Sequence, residues 1–440
     1  MKRCICAHIT PPGQAAIAVI RCSGKDSIAL VARHFRPARK LLNAASHTLV
    51  WGTFYSLDGI PLDEVLLSVF KAPQSYTGED VVEISCHGNP DLCDRILGSL
   101  LQNMKLANPG EFTLRAYLNG KMDLSQAEAV NDLITAATSK AEAAALMQIK
   151  GYLGRHLQSL LSQLSEARLR CELAIDFADQ DLPSIDGQDL VNRINSLISD
   201  ADALYCEGQH SRKIREGVRI CLAGAPNAGK SSLFNAFLKH NRAIVSPHPG
   251  TTRDYLEESF SLSGFPIVLY DTAGLREAAQ EIEAEGISRT RHLMLEADLI
   301  LYLYEDEKDL VDLQELSSKC IYVSSKADLK PEQILPEGHL ACSVKTEHGL
   351  DALSEAILNR LKLPQEVLYR PLVTNARHLA ALKRCLDALF SARQAIENGA
   401  GYEFIAFDLK AASSALEDIL GVISSDDLLN QIFSGFCIGK

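Results

Sequence analysis

The chain has 440 residues, of which 47% are hydrophobic and 23% charged, and its formal net charge is −12 at pH 7. This length exceeds what one hydrophobic core usually serves, so we expect two or three domains. An acidic chain is poorly suited to coating nucleic acid nonspecifically, because such binding depends on neutralising phosphates, but a local basic patch is compatible with it. The sequence has neither a run of about 18 apolar residues nor the apolar core of a secretory signal, so we expect a cytoplasmic protein without membrane contact.

The twelve cysteines are scattered along the chain, and none lies in the CxxC pairs of structural zinc or thioredoxin-like sites. We therefore expect most of them to be small buried hydrophobic residues.

The first part of the chain predicts a compact α+β domain over residues 1–118. Apolar runs at 15–21, 63–70 and 80–88 alternate there with turn-rich segments such as TPPG and NPG. Short apolar runs bounded by turn residues are typical of strands.

The next segment predicts a helical domain that begins at residue 119. Residues 124–177 are rich in strong helix formers. Two capping boxes are predicted, one formed by Ser125 with Glu128 and one by Ser139 with Glu142.

The remaining chain predicts an α/β domain inserted into that helical domain. A further helix is expected at 187–209, followed by a basic linker, SRKIREG, at 211–217. Apolar strands and helices then alternate to about residue 362, as in a parallel sheet with helical crossovers, and helical patterning returns near the end of the chain. The predicted domains are 1–118, 119–216, 217–362 and 363–440, with the second and fourth forming one helical domain.

The strongest motif is the phosphate loop GAPNAGKS at 224–231, between the apolar run VRICLA and the amphipathic run SLFNAFL. In this strand–loop–helix setting, backbone amides and the helix N-terminus cradle phosphates, Lys230 reaches the β and γ oxygens, and Ser231 binds magnesium. A glycine-rich helix entry is the alternative, which the companion motifs disfavour. The predicted nucleotide contacts in and beside this loop are Asn227, Ala228, Gly229, Lys230, Ser231 and Ser232.

Two downstream loops complete the predicted phosphate site. In IVLYDTAG, at 267–274, Asp271 ends an apolar strand and could hold magnesium through water, while Gly274 could approach the γ-phosphate. In PGTTRD, at 249–254, Thr252 could complete the magnesium shell. The other predicted contacts in these loops are Ser246, Pro247, His248, Pro249, Gly250, Thr251, Thr272 and Ala273.

The motif SKAD at 325–328 follows the apolar run CIYVSS and predicts a guanine site. The carboxylate of Asp328 can accept hydrogen bonds from N1–H and the exocyclic amine of guanine, whereas adenine would leave it unpaired. Lys326 is a further predicted contact, and GTPases usually carry Asn where this chain has Ser325. Residues 342–345, CSVK, are similar to the SAK element of GTPases and add Ser343, Val344 and Lys345 to the predicted site.

The residue that positions the attacking water is not the usual glutamine, because Leu275 stands at that place. Four carboxylates follow it as candidates, Glu277, Glu281, Glu283 and Glu285, and a solvated helix start is the alternative for any one of them.

Together, GAPNAGKSSLFN, PGTTRD, DTAGLRE and the terminal FCIGK resemble the MnmE (TrmE) family of tRNA modification GTPases. The resemblance extends to YTGEDVVEISCHGNP at 76–90 and NPGEFTLRAYLNGKMDLSQAEAV at 108–130. It implies that an aminomethyl or carboxymethylaminomethyl group is added to C5 of the wobble uridine (U34) of certain tRNAs, together with the FAD-dependent partner MnmG (GidA). The one-carbon unit would come from 5,10-methylene- or 5-formyl-tetrahydrofolate, with the folate contacts mapping onto Arg21, Glu83, Lys121 and Lys440.

The resemblance also implies a potassium ion that replaces an arginine finger. Its ligands map onto Asn227, Ser246, His248 and Thr251, and the catalytic glutamate maps onto Glu283. A homodimer that forms a heterotetramer or larger complex with MnmG is implied as well. Cys437 lies in the FCIGK tail, where it could act chemically or only pack. The chain departs from the family pattern at Ser325 and Val344.

Two alternatives remain open on sequence alone. One is a ribosome-assembly GTPase of the Era or Der kind, which would need neither a folate pocket nor the FCIGK tail. The other is a folate-dependent one-carbon transferase with a regulatory GTPase domain, which would be active without a flavoprotein partner.

Overall fold

The computed structural model describes residues 3–176, 187–240, 242–243, 256–271, 291–311, 314–330, 332, 334–363, 366–422 and 425–440. The chain forms two compact units: Met1–Asn131 with Leu420–Lys440, and Asp132–Ile419. The end of the chain therefore belongs to the same unit as its beginning. Within the described ranges, no helix is both long and apolar enough to cross a membrane.

The first unit is built on a seven-stranded sheet in the order β3-β4-β5-β6-β2-β1-β7. Neighbouring strands are antiparallel except β1 and β7. The strands predicted at 15–21, 63–70 and 80–88 are confirmed as β2, β5 and β6. The strands are β1 Ile5–His8, β2 Ala15–Ser23, β3 Phe35–Arg36, β4 Thr48–Tyr55, β5 Pro61–Phe70, β6 Val81–Gly88 and β7 Lys105–Leu106.

The helices of the described chain are long in the second unit, as its composition predicts. They are α1 Ser27–Arg33, α2 Ala38–Leu42, α3 Pro90–Leu101, α4 Glu111–Leu118, α5 Leu124–Thr135, α6 Ser139–Ile149, α7 Tyr152–Asp176, α8 Gly187–Glu216, α9 Lys230–His240, α10 Leu350–Leu361, α11 Ala376–Glu397, α12 Tyr402–Leu420 and α13 Asp426–Ser434.

The two faces of the first sheet have different environments, because successive side chains of a strand point to opposite sides. One face carries buried residues such as Ile20, Phe54 and Ile84, which form one core with Ile96 of α3. We call the other side the open face. It carries Arg21, which pairs in register with Glu83.

The second unit contains a parallel sheet of the kind that the sequence predicts. Its strand order is β14-β13-β12-β8-β11-β10-β9, with β14 to β11 parallel and the last two strands antiparallel. All six residues of β12 are buried, as expected for a central strand covered on both faces. The strands are β8 Val218–Gly224, β9 Arg242–Ala243, β10 Leu256–Leu262, β11 Phe265–Asp271, β12 Leu299–Tyr304, β13 Cys320–Ser324 and β14 Leu340–Ala341.

Both predicted capping boxes are displaced in the structure. Helix α5 is capped by Asp123, which accepts from Gln126 N at 2.9 Å while the Gln126 side chain accepts from Asp123 N at 3.0 Å. Helix α6 is capped by Thr138, which accepts from Ala141 N. The predictions were wrong by one or two residues because the neighbouring residue also carries a suitable oxygen.

The predicted basic linker at 211–217 is also wrong, because α8 continues to Glu216. Its basic side chains are held by carboxylates from other segments. Lys213 Nζ lies 3.2 Å from Asp298, and Arg215 Nε lies 2.9 Å from Asp132. These ion pairs keep the last turns of the helix against the rest of the unit.

The cysteines follow the prediction made from their spacing. Ten of the twelve are buried, and Cys206 and Cys437 are exposed. Burial raises the pKa of Cys6, Cys86 and Cys385 to about 12, so these thiols stay protonated at neutral pH.

Candidate functional site

The phosphate loop connects the end of β8 to the start of α9, as its motif predicts. Gly224 has φ of +133°, and a Cβ atom there would overlap the carbonyl oxygen of Leu303 on the neighbouring strand β12. Only glycine can occupy this position, because it alone combines that backbone conformation with so close an approach. The loop is therefore drawn tightly over the end of the sheet, with the N-terminus of α9 facing it.

Lys230 places its ammonium group inside this loop. Its side chain is buried, and Nζ donates hydrogen bonds to the carbonyl oxygens of Gly224 at 3.1 Å and Ala225 at 2.7 Å. Burial in this position surrounds a positive charge with backbone dipoles. The arrangement suits an incoming anion, which would find both the ammonium and the amides at the start of α9.

A cavity of about 350 Å³ lies beside the loop and brings the base-reading segments together. Seven predicted nucleotide contacts line it: Gly229, Ser232, Lys326, Asp328, Ser343, Val344 and Lys345. The remaining walls are Ser325 and the apolar or sulfur-bearing residues Leu233, Leu303, Val323, Leu329 and Cys342. Sequence reasoning missed the apolar walls, although most of them flank the recognised motifs and alternation along the strands would have suggested them.

Asp328 is held in place by a contact that the sequence does not reveal. The hydroxyl of Ser343 donates to Asp328 Oδ1 at 2.6 Å, and the backbone N–H of Ala327 donates to the Cys342 carbonyl at 3.2 Å. These two hydrogen bonds join the SKAD and CSVK segments. One carboxylate oxygen of Asp328 is thereby fixed in the wall of the cavity that both segments line.

The position normally occupied by Asn has a different role in this chain. Ser325 Oγ donates to the carbonyl oxygen of Tyr304 at 3.2 Å, so it fastens the loop to the end of β12. The next residue, Lys326, places Nζ 2.5 Å from Glu305 Oε2. Lys330 bonds to the Glu305 carbonyl and to the Asp306 carboxylate, so three successive contacts tie the base-reading loop to the residues that follow β12.

Other predicted contacts fall outside the described residues. Strand β11 ends at Asp271, next to Leu222 of β8, which is the end of the sheet that carries the phosphate loop. The predicted residues that lie outside the described ranges are Ser246, Pro247, His248, Pro249, Gly250, Thr251, Thr252, Thr272, Ala273, Gly274 and Glu283.

A second polar site occupies the open face of the first unit. Arg21 Nε lies 2.9 Å from Glu83 Oε1, and both side chains are largely buried, with exposed fractions of 14% and 24%. The Arg21 guanidinium also lies 5.3 Å from the ring centroid of Tyr76 and 5.5 Å from that of Phe112. Two aromatic rings and a carboxylate thus fix one arginine, and a group of this kind recognises planar, anionic ligands.

The C-terminal tail reaches this second site. The backbone N–H of Phe112 donates to the Lys440 carbonyl at 3.0 Å, and that of Gly110 donates to the Cys437 carbonyl at 3.4 Å. Burial, with a smaller contribution from the Arg21 charge, lowers the pKa of Lys440 from its ordinary value. The predicted residues Arg21, Glu83 and Lys440 are therefore neighbours despite their separation in sequence.

Lys121, the other predicted folate contact, has a hydrogen-bond partner of its own in this unit. Its Nζ donates to the carbonyl oxygen of Pro73 at 2.9 Å, so it supports the segment that carries Tyr76. The same segment is tied down by Arg115, a residue the sequence did not single out, whose side chain bonds to Glu79 at 3.0 Å and Glu111 at 2.8 Å. The polar residues of YTGED are thus largely structural supports.

Comparison with known proteins bears on both sites. The family model for the MnmE helical domain matches residues 124–437, and the one for the GTP-binding protein TrmE N-terminus matches residues 4–121. The tRNA modification GTPase MnmE of Moorella thermoacetica is 40% identical over 460 residues, which cover 99% of this chain and 99% of that protein. The chain belongs to the MnmE family.

A second relative matches this chain over its full length. The tRNA modification GTPase MnmE of Aquifex aeolicus is 39% identical over 452 residues, which cover all of both chains. A solved structure, the G domain of the T. maritima FeoB iron transporter, is 27% identical, covers 32% of this chain and 98% of that one, and has a TM-score of 0.25.

Membership in the MnmE family confirms the resemblance drawn from the motifs. It also confirms the predicted fold class, an N-terminal domain followed by a helical domain with a P-loop GTPase domain, and the enzyme class, a GTPase that acts in tRNA modification. An Era-like or Der-like GTPase would not need the N-terminal part that the TrmE model matches.

Proposed function

We propose that this chain hydrolyses GTP with Mg²⁺ and K⁺, and that it works with the FAD-dependent MnmG (GidA) in the cytoplasm. The product is an aminomethyl or carboxymethylaminomethyl group on C5 of the wobble uridine (U34) of certain tRNAs. A tetrahydrofolate bound by the first unit would supply the one-carbon unit. The observation that carries this proposal is the cluster formed by Arg21, Glu83 and the terminal Lys440.

The chemistry of this cluster fits a reduced folate. A carboxylate such as Glu83 can accept hydrogen bonds from the amide-like edge of a pterin, and the cations of Arg21 and Lys440 can neutralise a glutamyl tail. Tyr76 and Phe112 flank the same arginine and hold it in place. These residues would bind and orient the cofactor and exclude water from it.

The second unit supplies the GTP site of this proposal. Asp328, oriented by Ser343, would select guanine, and Lys230 with Ser231 would bind the phosphates and magnesium. The face of the cavity that would hold the base is mostly apolar, which suits a planar purine.

A homodimer is part of the proposal, and the open face of the first sheet offers a surface for it. Ile17, Leu49 and Trp51 are 62%, 62% and 61% exposed there, and Leu66 is 38% exposed. A row of large apolar side chains of this kind marks an interaction surface more often than a solvated one. A second copy of the chain would cover this row.

The test is folate binding by the purified full-length chain, measured by calorimetry with 5-formyl-tetrahydrofolate. Arg21→Ala and removal of Lys440 should each weaken binding roughly tenfold to a hundredfold, because a lost charge-assisted hydrogen bond costs about 1.5–3 kcal/mol. Arg95→Ala is the control, since Arg95 is in the same unit but pairs with Asp91 on the surface of α3. Unchanged affinity in both test variants would remove these residues from the site.

The pH dependence of binding gives a second readout on Lys440. Lys440 must be in its ammonium form to bind a carboxylate. The ammonium form is fully populated well below the pKa of Lys440 and is lost as the pH rises through that pKa. Because the pKa of Lys440 lies below 10.5, folate affinity should fall at a lower alkaline pH than an ordinary lysine would give. Lys440→Arg, whose guanidinium stays charged, should retain affinity further into the alkaline range.

A further inference from the structure

Four basic residues form an exposed patch at one edge of the first unit. They are Arg33, Arg36, Arg39 and Lys40, and no Asp or Glu occurs between Asp26 and Asp58. We call these four residues the basic edge. Such a segment is unusual in a chain whose formal net charge is −12.

The basic edge is assembled from three consecutive elements. Arg33 is the last residue of α1, Arg36 lies on β3 at the edge of the sheet, and Arg39 and Lys40 lie in α2. Arg36 is held in place, because it donates to the carbonyl oxygens of Arg33 at 3.3 Å and Phe35 at 3.0 Å. Arg36 therefore gives the patch one fixed cation.

None of the four cations makes an ion pair within the described ranges. A cation in the last turn of a helix stabilises the helix by interacting with its dipole. Because α2 has only five residues, one cation would be enough for this, and the dipole does not explain both Arg39 and Lys40. Across the sheet, Arg36 of β3 is paired with Thr53 of β4, and Thr53 is paired with Glu64 of β5. The first carboxylate along this row is therefore two strands away from Arg36. The positive charge of the patch thus remains available to an external anion.

The basic cluster that is obvious in the sequence, at 211–219, differs in this respect at three of its four cations. Arg212 lies 3.8 Å from Glu216, Lys213 lies 3.2 Å from Asp298, and Arg215 lies 2.9 Å from Asp132. These three cations are already paired with carboxylates of the same unit. The basic edge, which sequence inspection passed over, is the better candidate for a polyanion site.

We propose that the basic edge binds the phosphate backbone of the tRNA substrate, an inference that rests on the function proposed above. Arginine is suited to this role because its planar guanidinium binds phosphate oxygens in pairs. Binding of several phosphates by unpaired cations releases counterions, which is the main source of affinity for nucleic acid.

Arg36 of the basic edge and the Arg21–Glu83 pair lie on the same face of the first sheet. Arg36 pairs with Thr53 and Thr53 with Glu64, while Ser68, four residues along β5, pairs with Glu83. Residues an even number apart on a strand share a face, so Arg36 and Glu83 both belong to the open face. The strand order β3-β4-β5-β6 separates them laterally by roughly 14 Å, at about 4.8 Å per strand. Leu49, Trp51 and Leu66 lie between them on the same face, so RNA would contact the basic edge at the rim of the surface that a second copy covers.

The test uses the full-length chain and an unmodified tRNA transcript that carries U34. The variant is Arg33→Gln/Arg39→Gln/Lys40→Gln, which spares Arg36 because of its hydrogen bonds to the backbone. Dissociation constants are measured by fluorescence anisotropy between 50 and 200 mM salt. The variant should lower the slope of log K against log salt by about two, and affinity at 0.1 M salt should fall roughly a hundredfold.

Arg95→Gln is the matched control, since it also removes one exposed arginine of the first unit but breaks the ion pair with Asp91. Its tRNA affinity should change less than twofold. If Arg95→Gln lost as much tRNA affinity per removed charge as the triple variant, net charge alone would explain both losses, and the proposal would be overturned. Thermal unfolding of both variants checks that they remain folded.

Two further outcomes would also overturn the proposal. Equal slopes for the native chain and the triple variant would remove the basic edge from tRNA binding, while folate binding and GTP hydrolysis would still support the proposed function. Unchanged tRNA affinity together with lost binding to the flavoprotein would show that the patch docks an acidic protein surface. Absence of tRNA binding by the native chain, with or without the flavoprotein, would count against the proposed function itself.

Discussion

Asp328 illustrates what a motif does and does not contain at the scale of a residue. The motif SKAD predicts a base-reading carboxylate, and the structure places Asp328 at the wall of a cavity of suitable size. The hydrogen bond from Ser343 comes from a segment fifteen residues further along, which reaches Asp328 because β14 pairs with β13. Local patterns identify the carboxylate, whereas only the sheet register shows which of its oxygens is fixed.

Asp328→Asn should exchange the preference for GTP for a preference for xanthosine triphosphate. Ser343 Oγ donates to Asp328 Oδ1 in the native chain, and an asparagine oxygen could keep that bond while its NH₂ group faces the base. An amide donor suits the extra carbonyl of xanthine and repels the N1–H and amine of guanine. Competition binding with both nucleotides and with ATP checks this.

Ser343→Ala is the control for that experiment. It removes only the hydrogen bond that orients Asp328, so GTP affinity should fall by about threefold to tenfold, from a net loss of roughly 0.5–1.5 kcal/mol, with guanine still preferred. Equal binding of ATP and GTP by the native chain would refute the role of Asp328 altogether.

At the scale of elements, the sequence predicts the kind of each segment better than its ends. Periodicity identified β2, β5 and β6 and the long helices, because these patterns extend over many residues. Helix ends depend on single side chains, and adjacent residues such as Thr138 and Ser139 are both good caps by composition. Tertiary contacts decided other ends: α8 continues through 211–216, where Asp132 and Asp298 compensate its positive charges.

Thr138→Ala should destabilise the second unit by about 1 kcal/mol, as for other losses of an N-cap hydrogen bond. Thr138 accepts from Ala141 N, whereas Ser139 lies inside the helix and makes no cap bond. Thr138→Ser should therefore be nearly neutral, and Ser139→Ala should cost less than about 0.5 kcal/mol. Chemical denaturation of the three variants checks this, and a larger effect for Ser139→Ala would restore the capping box read from the sequence.

At the scale of the whole molecule, chain connectivity conceals which residues lie together. The composition of the last residues predicts only helix, yet they belong to the same compact unit as the N-terminus. Phe433 of α13 lies against Gly110, where φ is +66° and an added Cβ would be 2.9 Å from the Phe433 ring. Contacts of this kind join residues more than three hundred positions apart. The resemblance to a family suggested that Lys440 contributes to the folate site, and no local pattern could have done so.

The proposed mechanism of GTP hydrolysis also involves whole molecules, because it requires two copies of the GTPase domain. Leu275 cannot position water. We propose that a potassium ion neutralises the charge that develops between the β- and γ-phosphates. Asn227 is the proposed ligand of this ion. It is exposed in the phosphate loop, with φ of +62°, and its side-chain carbonyl is a hard oxygen ligand. Potassium bound there would also order the PHPGTTRD segment and let two GTPase domains pair, bringing Glu283 near the attacking water.

Turnover should accordingly be fast in potassium and slow in sodium, because a loop sized for the larger ion coordinates the smaller one poorly. Asn227→Gly removes the oxygen ligand while allowing the positive φ, so it should bind GTP but respond equally to both ions. Glu283→Ala should bind GTP normally and lose about 10²-fold or more in turnover, as for other losses of a positioned acid–base group. Steady-state hydrolysis in matched potassium and sodium buffers checks both variants. Potassium-independent hydrolysis by the native chain would remove the cation from the mechanism, and full activity of Glu283→Ala would pass its role to Glu277, Glu281 or Glu285.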